Sequence, residues 1–288
     1  MLKTRAITAA ILVPLFLAAL FLLSDVAWAL LTLLIVTMAT WEWAGFTGAS
    51  MLRKKAYTAL TAAIGLVLLL LLQSGWTQPI EYALFWGIFL ATLFWLIVVP
   101  IWLTTRLPIH NFWLLALLGW LVLLPTWFAL LALKITPLLA LVNLQGTGAY
   151  LLLGIIAVVW VADSAAYFSG KRFGKHKLAP LISPGKTWEG VLGAWLAVSL
   201  YGALICYYLK MSYWLILALW GVTVLSIMGD LLESMLKRHA GVKDSGQLLP
   251  GHGGILDRID GLTSSLPLAA FFIYFPIYYS VWADHVPA

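Results

Sequence analysis

Apolar residues run through this chain in stretches of about twenty, and polar residues gather between the stretches rather than within them. Nothing alternates with the period of two that a half-buried strand or a membrane barrel shows. A helix rises about 1.5 Å per residue, so such a stretch matches the ~30 Å hydrocarbon core of a bilayer. Backbone N–H and C=O groups find no water there, and each stretch must bond within itself, as a helix. The pattern predicts nine helices: Ala6–Leu23, Trp28–Phe46, Ala56–Leu72, Tyr82–Leu103, Phe112–Leu133, Ala149–Ser169, Trp188–Leu209, Tyr213–Leu232 and Leu262–Trp282. Pro100, Pro125, Pro267 and Pro276 fall inside them, where kinks are tolerated and need no functional cause. The expected fold class is all-α, a polytopic integral membrane protein of about nine transmembrane helices. It forms a single domain over 1–288, with N-terminal helices in 1–149 and the polar motifs in 150–288.

Composition agrees. Of 288 residues, 63% are hydrophobic and 10% charged, against about 25% charged in soluble chains. Too little polar surface exists to cover a soluble core. The one cysteine, Cys206, lies in an apolar run, so neither a disulfide framework nor a cysteine-held zinc is expected. His110, His176, His239, His252 and His285 have no ligand-type spacing.

Charge sets the orientation. With the N-terminus in the cytoplasm, every lysine and arginine except Lys134 and Lys210 falls on the cytoplasmic side, as the positive-inside rule demands. An eight-helix count scrambles that bias. The weak point is Lys134–Gly148, whose stretch Pro137–Leu144 is open to lying on the membrane or re-entering it. Lys3 and Arg5 followed by Ala27-Trp28-Ala29 imitate a cleaved leader, but Ala6–Leu23 is long enough to remain as a first span. The net charge of +6 is topological and implies no nucleic-acid partner.

Two long cytoplasmic segments hold most of the remaining polar residues, Asp163–Gly190 and Gly229–Gly261. Each starts with an aspartate still inside an apolar run, Asp163 and Asp230. A carboxylate there costs about 2.5–3.5 kcal/mol on insertion scales, so it faces a cavity, a cation or a salt-bridge partner. Asp257 and Asp260, three apart, share one face if the start of the last helix is helical. Like charges so placed call for a cation, and Mg²⁺ takes a few carboxylates plus water and phosphate oxygens. Acids at a helix start also suit its dipole without any metal. Pro250-Gly251-His252-Gly253-Gly254 precedes them, a turn in which backbone N–H groups can approach an anion. Lys237, Arg238, Lys243 and Arg258 supply cations for phosphate oxygens. Paired carboxylates, a glycine turn and cations together describe phosphoryl-transfer chemistry. Gly185-Lys186-Thr187 is not the end of a P-loop: Pro180 stands where that motif needs glycine, and no strand precedes it.

These residues resemble the phosphatidate cytidylyltransferase family, the CDP-diacylglycerol synthases. The family pattern is Ser-x-apolar-Lys-Arg, four residues, Lys-Asp, then His-Gly-Gly-apolar-x-Asp-Arg-apolar-Asp. Ser234–Asp260, "SMLKRHAGVKDSGQLLPGHGGILDRID", matches it without a gap. "SPGKTWEG" at Ser183–Gly190 and "ADSAAYF" at Ala162–Phe168 are similar to further family segments, with Ser164-Ala165 where many members carry Thr-Gly. The motif-level resemblance covers about Asp163–Asp260; the first half is similar mainly in its spans.

The resemblance implies that CTP and phosphatidate give CDP-diacylglycerol and pyrophosphate, with Mg²⁺ required and room for a second metal or a monovalent cation. It implies Asp230, Asp257 and Asp260 as metal ligands with Asp163 as a further contributor. Lys237, Arg238, Lys243 and Arg258 hold phosphates and Asp244 orients Lys243. His252 either donates to a phosphate or fixes the glycine turn. Ser183, Lys186, Gly253 and Gly254 contact the nucleotide. Lys186 and the Lys171–Lys177 cluster bind CTP, attract anionic lipid, or serve topology alone. Glu42, between Trp41 and Trp43, is a further site candidate. The expected location is a bacterial inner membrane with the site facing the cytoplasm, and a homodimer is compatible with this. The rivals are a CDP-alcohol phosphotransferase, whose Asp-Gly-x-x-Ala-Arg start is absent, and a transporter using Asp163 and Asp230 as ion relays.

Overall fold

Helices begin in this chain where a polar side chain meets an apolar run. The computed structural model describes residues 2–74, 77–135, 147–248, 251 and 253–283. The elements are α1 (Leu2–Leu22), α2 (Asp25–Gly45), α3 (Met51–Gln73), α4 (Thr77–Leu93), α5 (Val99–Thr105), α6 (Phe112–Ile135), α7 (Gly148–Phe173), β1 (Lys177–Ala179), β2 (Ser183–Thr187), α8 (Trp188–Leu209), α9 (Leu215–His239) and α10 (Leu256–Ala283). Ser24, Ser50 and Thr187 cap α2, α3 and α8, each accepting a backbone N–H from three residues on. Asn111 does the same for α6, accepting from Leu114 N at 3.1 Å.

Among the described residues eight helices are long and apolar enough to cross a membrane. They are α2, α3, the unit Tyr82–Thr105, α6, α7, α8, α9 and α10 over Leu256–Pro276. The ninth expected span, Ala6–Leu23, falls on α1, a helix of 21 residues in which Ala10–Leu22 is an apolar stretch. Pro137–Leu144 lies outside the described residues.

Two prolines leave visible accommodations. A π-helical turn, Phe94–Val98, joins α4 to α5 just before Pro100 and absorbs the missing N–H. In α10, Pro267 cannot donate to the carbonyl of Thr263, and Thr126 Oγ1 of α6 donates to it instead, at 3.1 Å. Pro125 and Pro276 also lie inside helices.

Aromatic side chains bind the first half together. Trp43 Nε1 donates to Leu115 O at 2.8 Å and Tyr57 OH to Ala116 O at 2.7 Å, locking α2 and α3 to α6. Trp43, Trp95 and Trp127 are fully buried. In the second half α7 packs along α8 and α9 along α10, while α10 also lies against α4 and α6. Large apolar side chains such as Leu22, Leu196 and Leu200 face outward, as a lipid-facing surface requires.

The hydropathy pattern did not predict the antiparallel hairpin β1–β2, in which Lys177 pairs with Thr187 and Ala179 with Ser183. It lies in polar sequence between spans, where no periodicity longer than a few residues can show. Gly185-Lys186-Thr187 is thus part of a strand rather than a loop. Several expected helix limits also move, two of them at the acidic residues. α9 continues seven residues past Leu232 to His239 and α10 begins six before Leu262, at Leu256. Hydropathy marks where the apolar run ends, and both helices continue beyond it on polar contacts between elements.

Candidate active site

Gly229 decides how closely α9 approaches α10. A β-carbon there would collide with the backbone carbonyl oxygen of Asp260, so only glycine permits this crossing. Ser264 Oγ donates to Leu225 O at 2.6 Å one turn away and fixes it. The crossing brings Asp230 and Asp260, on different helices, into each other's electrostatic field. Asp163 of α7 completes the group, with Lys186 and Arg258 as the nearby cations. Lys186 reaches in from β2: its Nζ stands 2.7 Å from Asp230 Oδ2 and donates to Ile227 O at 3.3 Å.

One turn further along α9 lies a second knot of charge. Lys237 Nζ stands 3.0 Å from Glu233 Oε2 and 2.6 Å from Asp257 Oδ1, tying α9 to the first turn of α10. Glu233 also feels Asp260 and Asp257. Its Oε1 is buried and has no hydrogen-bond partner among the described residues. An orphaned carboxylate oxygen in a low-dielectric setting is costly unless a cation compensates it.

Asp257 and Asp260 therefore engage different partners although both lie near the start of α10. Asp257 Oδ2 accepts from Gly254 N at 2.8 Å, Ser245 N at 2.9 Å and Ser245 Oγ at 3.0 Å. It closes the glycine turn onto the helix start. Among the described residues Asp260 Oδ1 accepts from Gly261 N alone, at 2.8 Å.

Asp163, Asp230, Glu233, Asp257 and Asp260 lie among Lys186, Lys237 and Arg258, so carboxyl groups outnumber the nearby cations. The donors are oxygens alone, and the Asp230 side chain keeps 39% of its surface open to solvent. Such a set fits a hard divalent ion such as Mg²⁺. Among the described residues no three acidic, histidine or cysteine side chains are already gathered round one point. The ammonium groups of Lys186 and Lys237 instead stand against Asp230 and Asp257.

Glu42 gains most from the structure. Its side chain comes from α2, in the other half of the chain, and the residue is 2% exposed. Oε1 accepts from Ile255 N at 3.0 Å and Oε2 from Leu256 N at 2.8 Å, while the one Ser245 hydroxyl proton is shared between Glu42 Oε2, at 2.9 Å, and Asp257 Oδ2. It caps α10 and anchors the turn. Gly254 is tight against it, since a β-carbon there would strike the Glu42 carboxylate and Ser245 Oγ.

The other expected site residues are more dispersed. Gly253 takes φ +78°, which suits glycine, and the Gly254 N–H is directed to Asp257 rather than outward. Ser183 shares β2 with Lys186. Lys243 and Asp244 are both exposed, and no ion pair joins them among the described residues. Arg238 Nε donates to Ile182 O at 3.4 Å, holding the hairpin to α9. His252 lies outside the described residues. Lys171 and Arg172 lie over Tyr167 and Phe173 at the end of α7, while His176 Nδ1 meets Glu189 at 2.6 Å and ties the hairpin to α8. Glu233 escaped the sequence reading. Its signal is the spacing Asp230, Glu233, Lys237, which puts three charged groups on one helical face.

Comparison with known proteins bears on what this arrangement serves. The profile of the Cytidylyltransferase family matches residues 3–276. A phosphatidate cytidylyltransferase of Pseudomonas aeruginosa is 40% identical over 278 residues, covering 95% of this chain and 97% of that one. One from Haemophilus influenzae is 47% identical over 136 residues, 44% of this chain and 47% of its own. One from Staphylococcus aureus is 46% identical over 130 residues, 43% of this chain and 49% of its own.

Proposed function

The chain belongs to the cytidylyltransferase family, and on that premise we infer that it transfers the cytidylyl group of CTP to phosphatidate, giving CDP-diacylglycerol and pyrophosphate. What carries the reading is a likeness that runs nearly end to end over both chains. The CDP-alcohol phosphotransferase and transporter readings have no comparable support.

The reaction asks little proton chemistry of the protein. A phosphate monoester, with a second pKa of about 6, is mostly a dianion at neutral pH and already a nucleophile. What it needs is neutralisation and alignment with the α-phosphorus of CTP. Lys186, at Asp230, is placed to hold a phosphate oxygen beside the acidic group, and Arg258 stands in the same field. Lys237 braces Glu233 and Asp257 and so keeps the start of α10 in register with α9. Lys243 is exposed and unpaired among the described residues, a mobile cation for the outer phosphates. Arg238 steadies the hairpin that carries Ser183 and Lys186.

We propose Mg²⁺ as the cofactor, held by Asp163, Asp230 and Asp260; Asp257 joins them only by releasing Lys237. Bound there, the ion would neutralise the CTP phosphates and the departing pyrophosphate. We also place the site on the cytoplasmic face of a bacterial inner membrane, where CTP is found; the basic bias of the loops supports this.

The test is incorporation of radiolabel from CTP into lipid by the purified protein. Label should enter lipid only when phosphatidate is present, stop with EDTA and return with Mg²⁺. Incorporation without phosphatidate would overturn the substrate assignment, and indifference to EDTA would overturn the metal.

A further inference from the structure

A second polar feature lies apart from the acidic group. A cavity of about 360 Å³ opens between the end of α5, the hairpin tip and the end of α9. Its walls include Thr105, Arg106, Leu181, Ile182, Arg238 and His239. Two guanidinium groups and an imidazole share this space, and among the described residues none has an acidic partner. Arg238 gives its Nε to Ile182 O, which fixes the side chain against the wall. Arg106 adopts φ +53° at the end of α5, and its N–H donates to Trp102 O at 2.7 Å, so the turn that presents it is held by the backbone. Positive charge gathered round a hollow without compensating carboxylates is the signature of an anion site, and paired guanidinium groups suit phosphate.

Its depth says which phosphate. Thr105 ends one candidate span and His239 ends α9 seven residues past its apolar run, so the cavity lies just outside the hydrocarbon, at headgroup level. Leu181 at its rim is 72% exposed and the neighbouring Leu107 is 64% exposed, an apolar lip suited to acyl chains. Along α9, Arg238 stands eight residues beyond Asp230, about 12 Å at ~1.5 Å per residue. A phosphate held here is adjacent to the acidic group without being in it.

We propose that this cavity is a capture site for the phosphate of an anionic lipid, through which the phosphate-monoester lipid of the transfer reaction approaches from the α5–α9 side. The proposal rests on the reading above for the identity of that lipid. Arg106 and His239 are then specificity residues for the lipid substrate, contributed from both halves of the chain.

Arg106→Gln and His239→Gln, singly and together, test it in two assays. Kinetics in mixed micelles should show KM for phosphatidate rising about tenfold in the double variant, with KM for CTP and kcat within twofold of wild type. Native mass spectrometry of the detergent-purified protein should show phosphatidate retained over phosphatidylcholine by the wild type and the preference lost in the double variant. This second assay needs no turnover, so it stands if the wild type fails to incorporate CTP. A rise in KM for CTP alone would assign the cavity to the nucleotide's phosphates and overturn the proposal. So would unchanged lipid retention in a double variant that elutes as a folded species.

Discussion

The two halves of the molecule differ less in their hydroxyls than in their charged groups, which form cross-element ion pairs mainly in the second. In α2, α3, α4 and α6, threonine hydroxyls turn back on their own helix: Thr32 donates to Trp28 O, Thr40 to Val36 O, Thr61 to Tyr57 O and Thr92 to Ile88 O. Each bond closes within four residues, so the helix carries its polar groups through lipid unaided. From α7 to α10 hydroxyls do the same, as Thr223 does to Leu219 O and Ser199 to Trp195 O, but there charged side chains also reach across elements. Lys186 crosses from β2 to α9 and Lys237 from α9 to α10. The first half is a scaffold held mainly by neutral bonds, some within a helix and some, as from Trp43 and Tyr57, between helices. The second is a network in which each charge depends on another chain segment. Glu42 stands apart among the scaffold residues because its carboxylate belongs to the network.

Neutralising a network acid should have the largest effect. Asp260→Asn and Asp230→Asn should each lower kcat by at least about 10²–10³-fold, the size expected when one preorganised electrostatic group is lost. Their thermal transitions in detergent should remain close to wild type, because fewer like charges meet at the α9–α10 crossing. Near-normal turnover in either variant would remove that carboxylate from the reaction.

Glu42→Gln should come next, and it probes the scaffold residue that joins the network. One amide nitrogen would face a backbone or hydroxyl donor that the carboxylate now accepts. Hydrogen bonds to a charged group contribute about 1.5–3 kcal/mol each, so the turn should loosen by roughly that much. Activity should fall about tenfold or more, and amide exchange should quicken over Ser245–Leu256. Thr40→Val, on the same helix, should change neither. If both variants behave alike, Glu42 is ordinary scaffold and the contrast between the halves fails.

Much of this contrast was legible in the sequence, for a physical reason. Spans are written in runs of about twenty residues, and a carboxylate inside such a run is conspicuous because it is costly. Asp163 and Asp230 were therefore visible, and the gapless pattern Ser234–Asp260 gave the family. What the sequence hid depends on contacts far apart in the chain. Glu42 meets Leu256 across more than two hundred residues. The separation of Asp257 from Asp260 depends on which neighbours each finds. The hairpin was too short to leave a period, and the first turns of α10 were too polar to be recognised as part of a span.

Gly229→Ala should have an intermediate effect. Its methyl group would strike the Asp260 carbonyl, and forcing an extra carbon into a packed contact costs about 1–3 kcal/mol. The helices must part at the point that brings Asp230 to Asp260, so activity should fall more than the thermal transition does. A variant that loses stability but keeps full activity would show that the acidic group tolerates a looser crossing.

Thr126→Val should have the smallest effect and is the sharpest control. Thr126 is a scaffold threonine that bonds both ways: back to Val122 O at 2.7 Å and across to the Thr263 carbonyl that Pro267 leaves without a donor. Its hydroxyl has one proton, so valine removes a single donor while nearly preserving shape. The expected cost is about 1 kcal/mol, read as a modest fall in the thermal transition, with kcat and both KM values unchanged. If Pro267 is also replaced by alanine, Thr263 regains an intrahelical donor. The cost of Thr126→Val should then shrink in that background. A cost that stays the same would mean the cross-helix bond is incidental, and that α10 tolerates Pro267 by some other route than a donor from α6.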